Sequence, residues 1–137
     1  INTKKLKFLA KDLVNYKLED SDFIISFFTI QFIHPKHRQK LINKIYESLN
    51  WGGAFLFFEK VRYNDARFQD IFTTLYNDYK MQMGYTPEEI LNKTRSLKGV
   101  MEPFSTEGNV DMMKRAGFKD ITTVVTDICF KGFLAIK

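Results

Sequence analysis

FIISFFTIQFIHPKHRQKLINKIYESLNWGGAFLFFEK, Phe23 to Lys60, is the stretch whose reading decides the fold. Phe23 to Ile30 is a nearly continuous apolar run rich in aromatic and β-branched residues, the pattern of a strand covered on both faces. Ala54 to Phe58 is a second such run. Between them His34-Pro35 opens a helix, because proline at the first turn loses no needed N–H. Leu41, Ile42, Ile45, Tyr46 and Leu49 then give that helix one apolar stripe. Gly52-Gly53 is expected to stop it, since glycine takes the left-handed conformation without a Cβ penalty. Strand, helix and strand make a βαβ unit of a parallel sheet. Ligands of such sheets bind beyond the carboxyl ends of the strands, which points to residues 27–34 and 59–63.

Working outward, Leu6 to Leu9 with Ala10-Lys11-Asp12 reads as a short strand ending in a carboxylate. Asp12 fits a turn residue as readily as a functional one. On the other side, Asn64 or Asp65 caps a helix running to about Met83, with Phe68, Ile71, Phe72, Leu75, Tyr76 and Tyr79 at helical spacing. Thr86-Pro87-Glu88-Glu89 starts another, which runs to about Lys98 and stops at Gly99. Ser105 or Thr106 caps a shorter helix with Val110, Met113 and Ala116 inward and Gly117 at its end. Ile121 to Val125 and Phe133 to Ile136 are strands with Lys131-Gly132 between them. Their closeness requires an antiparallel hairpin, because a parallel pair needs a long crossover. The expectation is one α/β domain of five strands whose last strand is reversed.

Composition narrows the chemistry. With 45% apolar residues in 137, the chain can fill a real core. The net charge of +5 permits an anionic partner such as RNA, but the basic residues are scattered, as on an ordinary solvated surface. The single cysteine, Cys129, excludes an internal disulfide and leaves no metal cluster; its apolar neighbours mark a buried structural thiol. No apolar run approaches the roughly 20 residues of a membrane helix, and no secretory signal is present, so a cytoplasmic protein is expected. There is no P-loop, no GxGxxG after the first strand and no GxSxG elbow. His34 and His37 lack a third ligand and read as surface residues. Glu59, Asp65, Asp70 and Asp78 have no spacing that suggests paired acid and base. The residues describe an α/β domain with a ligand edge and no obvious catalytic side chain, which is how a transfer enzyme working mainly by positioning would look.

FTIQFIHPKHRQKLINKIYESLNWGGAFLFFEK, Phe28 to Lys60, resembles the class I S-adenosylmethionine (SAM) methyltransferases. More closely it resembles the carboxy-SAM synthase family, whose pattern runs FTLQF-x-x-P-x-x-R-Q-x-L-x-x-K-I-Y-x-x-L-N-P-G-G. The likeness continues through Gly84-Tyr85, Val100-Met101, residues 114–118 and Gly132 to Lys137. It implies the C-terminal part of a Rossmann-like SAM-dependent sheet with an antiparallel terminal hairpin, and SAM as cofactor. Asp12 then matches the carboxylate that accepts from the adenine amino group, with the Leu13 backbone beside the ring. The resemblance also puts Phe27 and Phe28 at the cofactor, with Phe27 standing where the synthases have asparagine, so that its polar contact is absent. Gln31, Tyr63 and Arg95 are the candidate substrate contacts. Thr94 falls where the synthases place the arginine that holds the additional carboxylate, and Arg95 is one residue, or about 100° of helix, away. Trp51 replaces a proline.

These departures favour plain methyl transfer to a small-molecule or tRNA-linked acceptor over carboxy-SAM synthesis; a non-enzymatic interaction module is the third reading. No catalytic side chain is singled out, and no metal or membrane is expected. Residues 63–101 are expected to form a helical cover that selects the acceptor, or else only shields the sheet or pairs two copies as a homodimer. The resemblance also implies that a glycine-rich cofactor half precedes Ile1.

Overall fold

The computed structural model describes residues 5–137. The elements run β1 (Ser21–Phe27), a 3-10 turn (Ile30–Phe32), α1 (Pro35–Ser48), β2 (Leu49–Lys60), α2 (Ala66–Gln82), α3 (Pro87–Leu97), α4 (Thr106–Ala116), β3 (Asp120–Asp127) and β4 (Phe130–Ile136). They form a four-stranded sheet in the order β1-β2-β4-β3. β1 and β2 are parallel, with Phe27 opposite Phe58, and β4 runs antiparallel to both β2 and β3. The reversed final strand thus inserts between β2 and its own hairpin partner.

Alternation along β2 sorts its side chains onto two faces. Phe55, Phe57 and Glu59 are buried, while Leu56, Phe58 and Lys60 are intermediate. The buried face packs with Phe133 and Ala135 of β4 against Leu41, Ile42 and Ile45 of α1, Met112 and Met113 of α4, and Phe118. Each such large apolar side chain contributes about 1.5–3 kcal/mol relative to exposure. Gly117 closes α4 at φ +124°, and a Cβ there would lie 2.6 Å from the Tyr46 ring. This position needs glycine for both conformation and space.

The helix starts follow their local chemistry. His34 Nδ1 accepts from Lys36 N at 3.3 Å ahead of Pro35, Asp65 accepts from Arg67 N and Phe68 N, and Thr86 and Glu89 form a reciprocal capping box.

Several sequence expectations are corrected. Leu6 to Leu9 forms no strand, and Leu6, Phe8 and Leu9 are at least half exposed. The sheet among the described residues has four strands, not five. β1 is its edge and is covered on one face only, since Phe23, Ile25 and Phe27 are more than half exposed while Ser26 is buried. Gly52-Gly53 does not end α1. The helix stops at Ser48, the extended chain of β2 begins at Leu49, and Gly52 takes φ +78° inside the strand. The hairpin turns at Ile128-Cys129, with Ile128 at φ +47°, and not at Lys131-Gly132. Gly132 sits within β4 because a Cβ there would meet the Phe58 ring at 2.7 Å. In α4, Met113 is in the core and Val110 and Ala116 pack against it as expected, while Asn109 and Met112 are buried in addition.

Candidate functional site

Parallel pairing brings the carboxyl ends of β1 and β2 side by side, and the chain leaves them in opposite ways. After Phe27 the backbone turns sharply: Phe28 adopts φ +50°, and its N–H donates to Phe58 O at 3.0 Å. A non-glycine residue in the left-handed region is uncommon and clusters at functional sites. Phe28 also packs its ring against Phe27 (4.5 Å between centroids) and Phe130 (5.4 Å), and Phe58 completes an aromatic group at the strand ends. β2 continues as Lys60, Val61 and Arg62, and Arg62 N reaches Phe104 O.

Gln31 ties these exits together from the 3-10 turn. Its side-chain Oε1 accepts from Lys60 N at 2.8 Å, and its carbonyl accepts from Arg38 Nη2 at 2.9 Å. Glu59, 2% exposed, lies beneath it, and its Oε1 has no hydrogen-bond partner. Burial pushes its carboxyl up to about 8, against the opposing influence of the Gln31 backbone and the Arg38 guanidinium, so the neutral acid dominates at pH 7.

Above this floor lies a cleft of about 470 Å³ between the strand ends, α2 and α3. Gln31, Lys60, Tyr76, Lys80, Lys93 and Thr94 all line it. Lys80 Nζ stands 4.3 Å from the Tyr76 ring centroid and Lys60 Nζ 5.1 Å. Burial, and secondarily the Lys60 charge, holds the Lys80 ammonium below its usual range, and burial raises Tyr76. Among the described residues no carboxylate forms an ion pair with Lys60, Lys80 or Lys93. A deeper recess of about 170 Å³ shares Lys60, Tyr76, Lys80 and Thr94 and ends at Cys129. Cys129 is buried, as its sequence context implies, and burial pushes its thiol up, so it is not an activated nucleophile. Gathered cations without carboxylate partners suit an anionic ligand.

The sequence-selected residues separate into groups. Phe27, Phe28 and Gln31 sit together at the strand ends, although the Gln31 amide oxygen is already committed to Lys60 N. Tyr63 lies outside the cleft: it stacks on Phe72 at 4.1 Å and donates its hydroxyl to Ile128 O at 2.6 Å. Arg95 is exposed and does not line the cleft, whereas its neighbour Thr94 does, as the 100° helical step requires. Asp12 shapes a turn, accepting from Val14 N at 3.0 Å and from the Asn15 side-chain amide. Leu13 is partly buried, and its carbonyl, with those of Val14 and Tyr16, accepts from Lys44 Nζ of α1 at 2.6–3.2 Å. This ammonium fixes the turn that presents the exposed Asp12. Lys60, Lys80 and Lys93 were not singled out from sequence. The spacing of Tyr76 and Lys80 on one helix face was readable, but the approach of Lys60 from β2 is a tertiary fact.

A carboxy-S-adenosyl-L-methionine synthase of Nautilia profundicola is 41% identical over 133 residues, 97% of this chain and 57% of that protein. One of Staphylococcus epidermidis is 35% identical over 136 residues, 99% of this chain and 60% of that protein. Over its length the chain is similar to these carboxy-SAM synthases. It spans 57% to 60% of the length of these relatives. No family model matches the chain.

Solved structures show the same fold. Human N-acetylserotonin methyltransferase, in complex with SAM, superposes with a TM-score of 0.65 at 17% identity, over 100% of this chain and 35% of that one. An O-methyltransferase from Planctomyces limnophilus gives 0.62 at 18% identity, over 93% of this chain and 34% of that one. The described residues contain no group of three or more His, Cys, Asp or Glu able to hold a metal ion. No helix among the described residues is long and apolar enough to cross a membrane.

Proposed function

We propose that the protein is a SAM-dependent enzyme of the carboxy-SAM synthase type, in which the lysine-lined cleft holds an anionic co-substrate beside the cofactor. The observation that carries this reading is the cleft itself: Lys60, Lys80 and Lys93 converge without carboxylate partners on a space at the carboxyl ends of parallel strands. The loss of a guanidinium at Thr94 therefore does not remove cationic character from the place where the resemblance expects it.

The residues present fit the cofactor. The exposed Asp12 carboxylate spends two acceptor sites on its own turn and keeps others for an adenine amino group. Lys44 holds the adjoining Leu13 backbone in place. Phe27 and Phe28 offer aromatic faces at the strand ends, favourable surroundings for a sulfonium cation. When bound, SAM supplies an activated sulfonium methyl. The chain's own contribution is positional: Asp12 and Leu13 hold the adenine end, Lys60, Lys80 and Lys93 fix the anion, and α2 and α3 cover the pair against water. The neutral Glu59 puts no negative charge under the anion.

Methyl transfer to an acceptor is the second reading, favoured by Phe27 and Thr94, which depart from the synthase pattern. A cytoplasmic location is part of both. Incubating the full-length protein with SAM and prephenate and examining the products by mass spectrometry separates them. A carboxylated cofactor is expected. Unchanged SAM in the presence of prephenate, with a methylated product from another acceptor, would replace the first reading by the second.

A further inference from the structure

Arg38 lies in α1, outside the cleft, and is 2% exposed. Its guanidinium is spread over three backbone carbonyls: Nε donates to Ile33 O at 2.7 Å, Nη2 to Gln31 O at 2.9 Å and Nη1 to Glu102 O at 2.6 Å. Phe104 lies against the cation, 4.5 Å from ring centroid to Cζ. The first two carbonyls belong to the segment that follows β1 and carries Gln31 into the cleft floor. The third belongs to the linker between α3 and α4, whose Met101 and Pro103 form the cleft rim. The linker touches the floor directly through Glu102 N, which donates to Gln31 O at 3.3 Å. The planar fork of arginine spans all three carbonyls at once, and an ammonium on a flexible stem does not reproduce that geometry. Burying a cation with only carbonyl partners is costly, and Arg38 is accordingly held below its ordinary range by burial, with Glu59 and Glu102 opposing. A core of apolar residues would have filled this volume at lower cost.

We propose that Arg38 is a positioning residue: it locks the segment after β1 and the α3–α4 linker at one separation, so that the cofactor-facing residues 27–31 and the cleft rim keep a common register. The proposal rests on the functional reading above for its ligand, but its structural part stands apart from it. It assigns a role to a residue that does not itself line the cleft and acts through the backbone of Gln31 and of the linker.

The test uses the full-length protein and its R38K variant, which keeps the charge and most of the volume. Calorimetric titration with SAM is expected to show affinity weakened about tenfold or more, because small displacements of positioning groups are amplified at a site. Hydrogen exchange without ligand is expected to quicken together in residues 30–33 and 100–104, and not in the middle of α2. R38K with wild-type SAM affinity, or exchange that quickens in one segment only or evenly through the chain, would overturn the proposal. If the wild-type protein does not bind SAM, the functional reading fails while the exchange experiment still decides the locking role. Should R38K not fold, F104L, which removes the ring from the guanidinium and leaves the carbonyls in place, is expected to give a smaller coupled rise in the same two segments. No change in either segment would equally count against the role.

Discussion

Replacing Glu59 by glutamine is expected to stabilise the protein at neutral and alkaline pH and to abolish part of its pH dependence. Glu59 is 2% exposed, its Oε1 is unpartnered, and burial raises its pKa from 4.5 to about 8. The unfolded chain ionises this carboxyl near 4.5 and the folded one only near 8, so between those values the folded state binds more protons. Stability from this group is therefore intact below about pH 4.5 and is lost progressively as pH rises towards 8. A shift of this size corresponds to a loss on the order of 3 kcal/mol between pH 5 and pH 8, at 1.36 kcal/mol per pKa unit. Glutamine fills nearly the same volume and does not titrate. Urea unfolding of both proteins at pH 5, 6, 7 and 8 should show the stability difference, variant minus wild type, growing by about that amount across the series. A difference that stays constant with pH, or shrinks as pH rises, would refute the account of Glu59 as a buried neutral acid.

Other expectations address the cleft and its supports. Lys80→Met should raise the KM for the anionic co-substrate about tenfold with the fold intact, because it removes one of the unpaired cations; steady-state kinetics and a melting curve check this. Thr94→Arg should lower that KM, whereas Arg95→Ala should leave it unchanged, since only position 94 faces the cleft. Lys44→Met releases the carbonyls of Leu13, Val14 and Tyr16 and should quicken limited proteolysis at residues 12–16 and weaken SAM binding. Gly117→Ala places a Cβ against Tyr46 at positive φ and should cost about 2–3 kcal/mol, read from urea unfolding.

Much of the fold is legible in the local pattern. The βαβ unit, the caps at Asp65 and Thr86, and the terminal hairpin follow from apolar periodicity and turn chemistry, which act over a few residues. The failures have a common cause in tertiary packing. Gly132 looks like a turn glycine and is in fact a strand glycine that makes room for Phe58. Gly52-Gly53 looks like a helix stop, yet the chain is already extended at Leu49. Phe23, Ile25 and Phe27 look like a strand covered on both faces, but in the described sheet β1 is an edge.

The site is legible only in part. The strand-end residues Phe27, Phe28 and Gln31 could be placed from the βαβ rule. The cleft lysines come from β2, α2 and α3, and no spacing in one segment announces their meeting. Arg38 shows the same limit: its partners are 5, 7 and 64 residues away.

On the proposed reading the protein binds SAM through the exposed Asp12 turn that Lys44 holds in place. The most direct test of this claim is calorimetric titration of SAM into the full-length protein and into the same protein carrying Asp12→Ala. Saturable binding by the wild type, weakened at least tenfold in the variant, is the expected result. No binding by the wild type, or equal affinity in both, would contradict the claim.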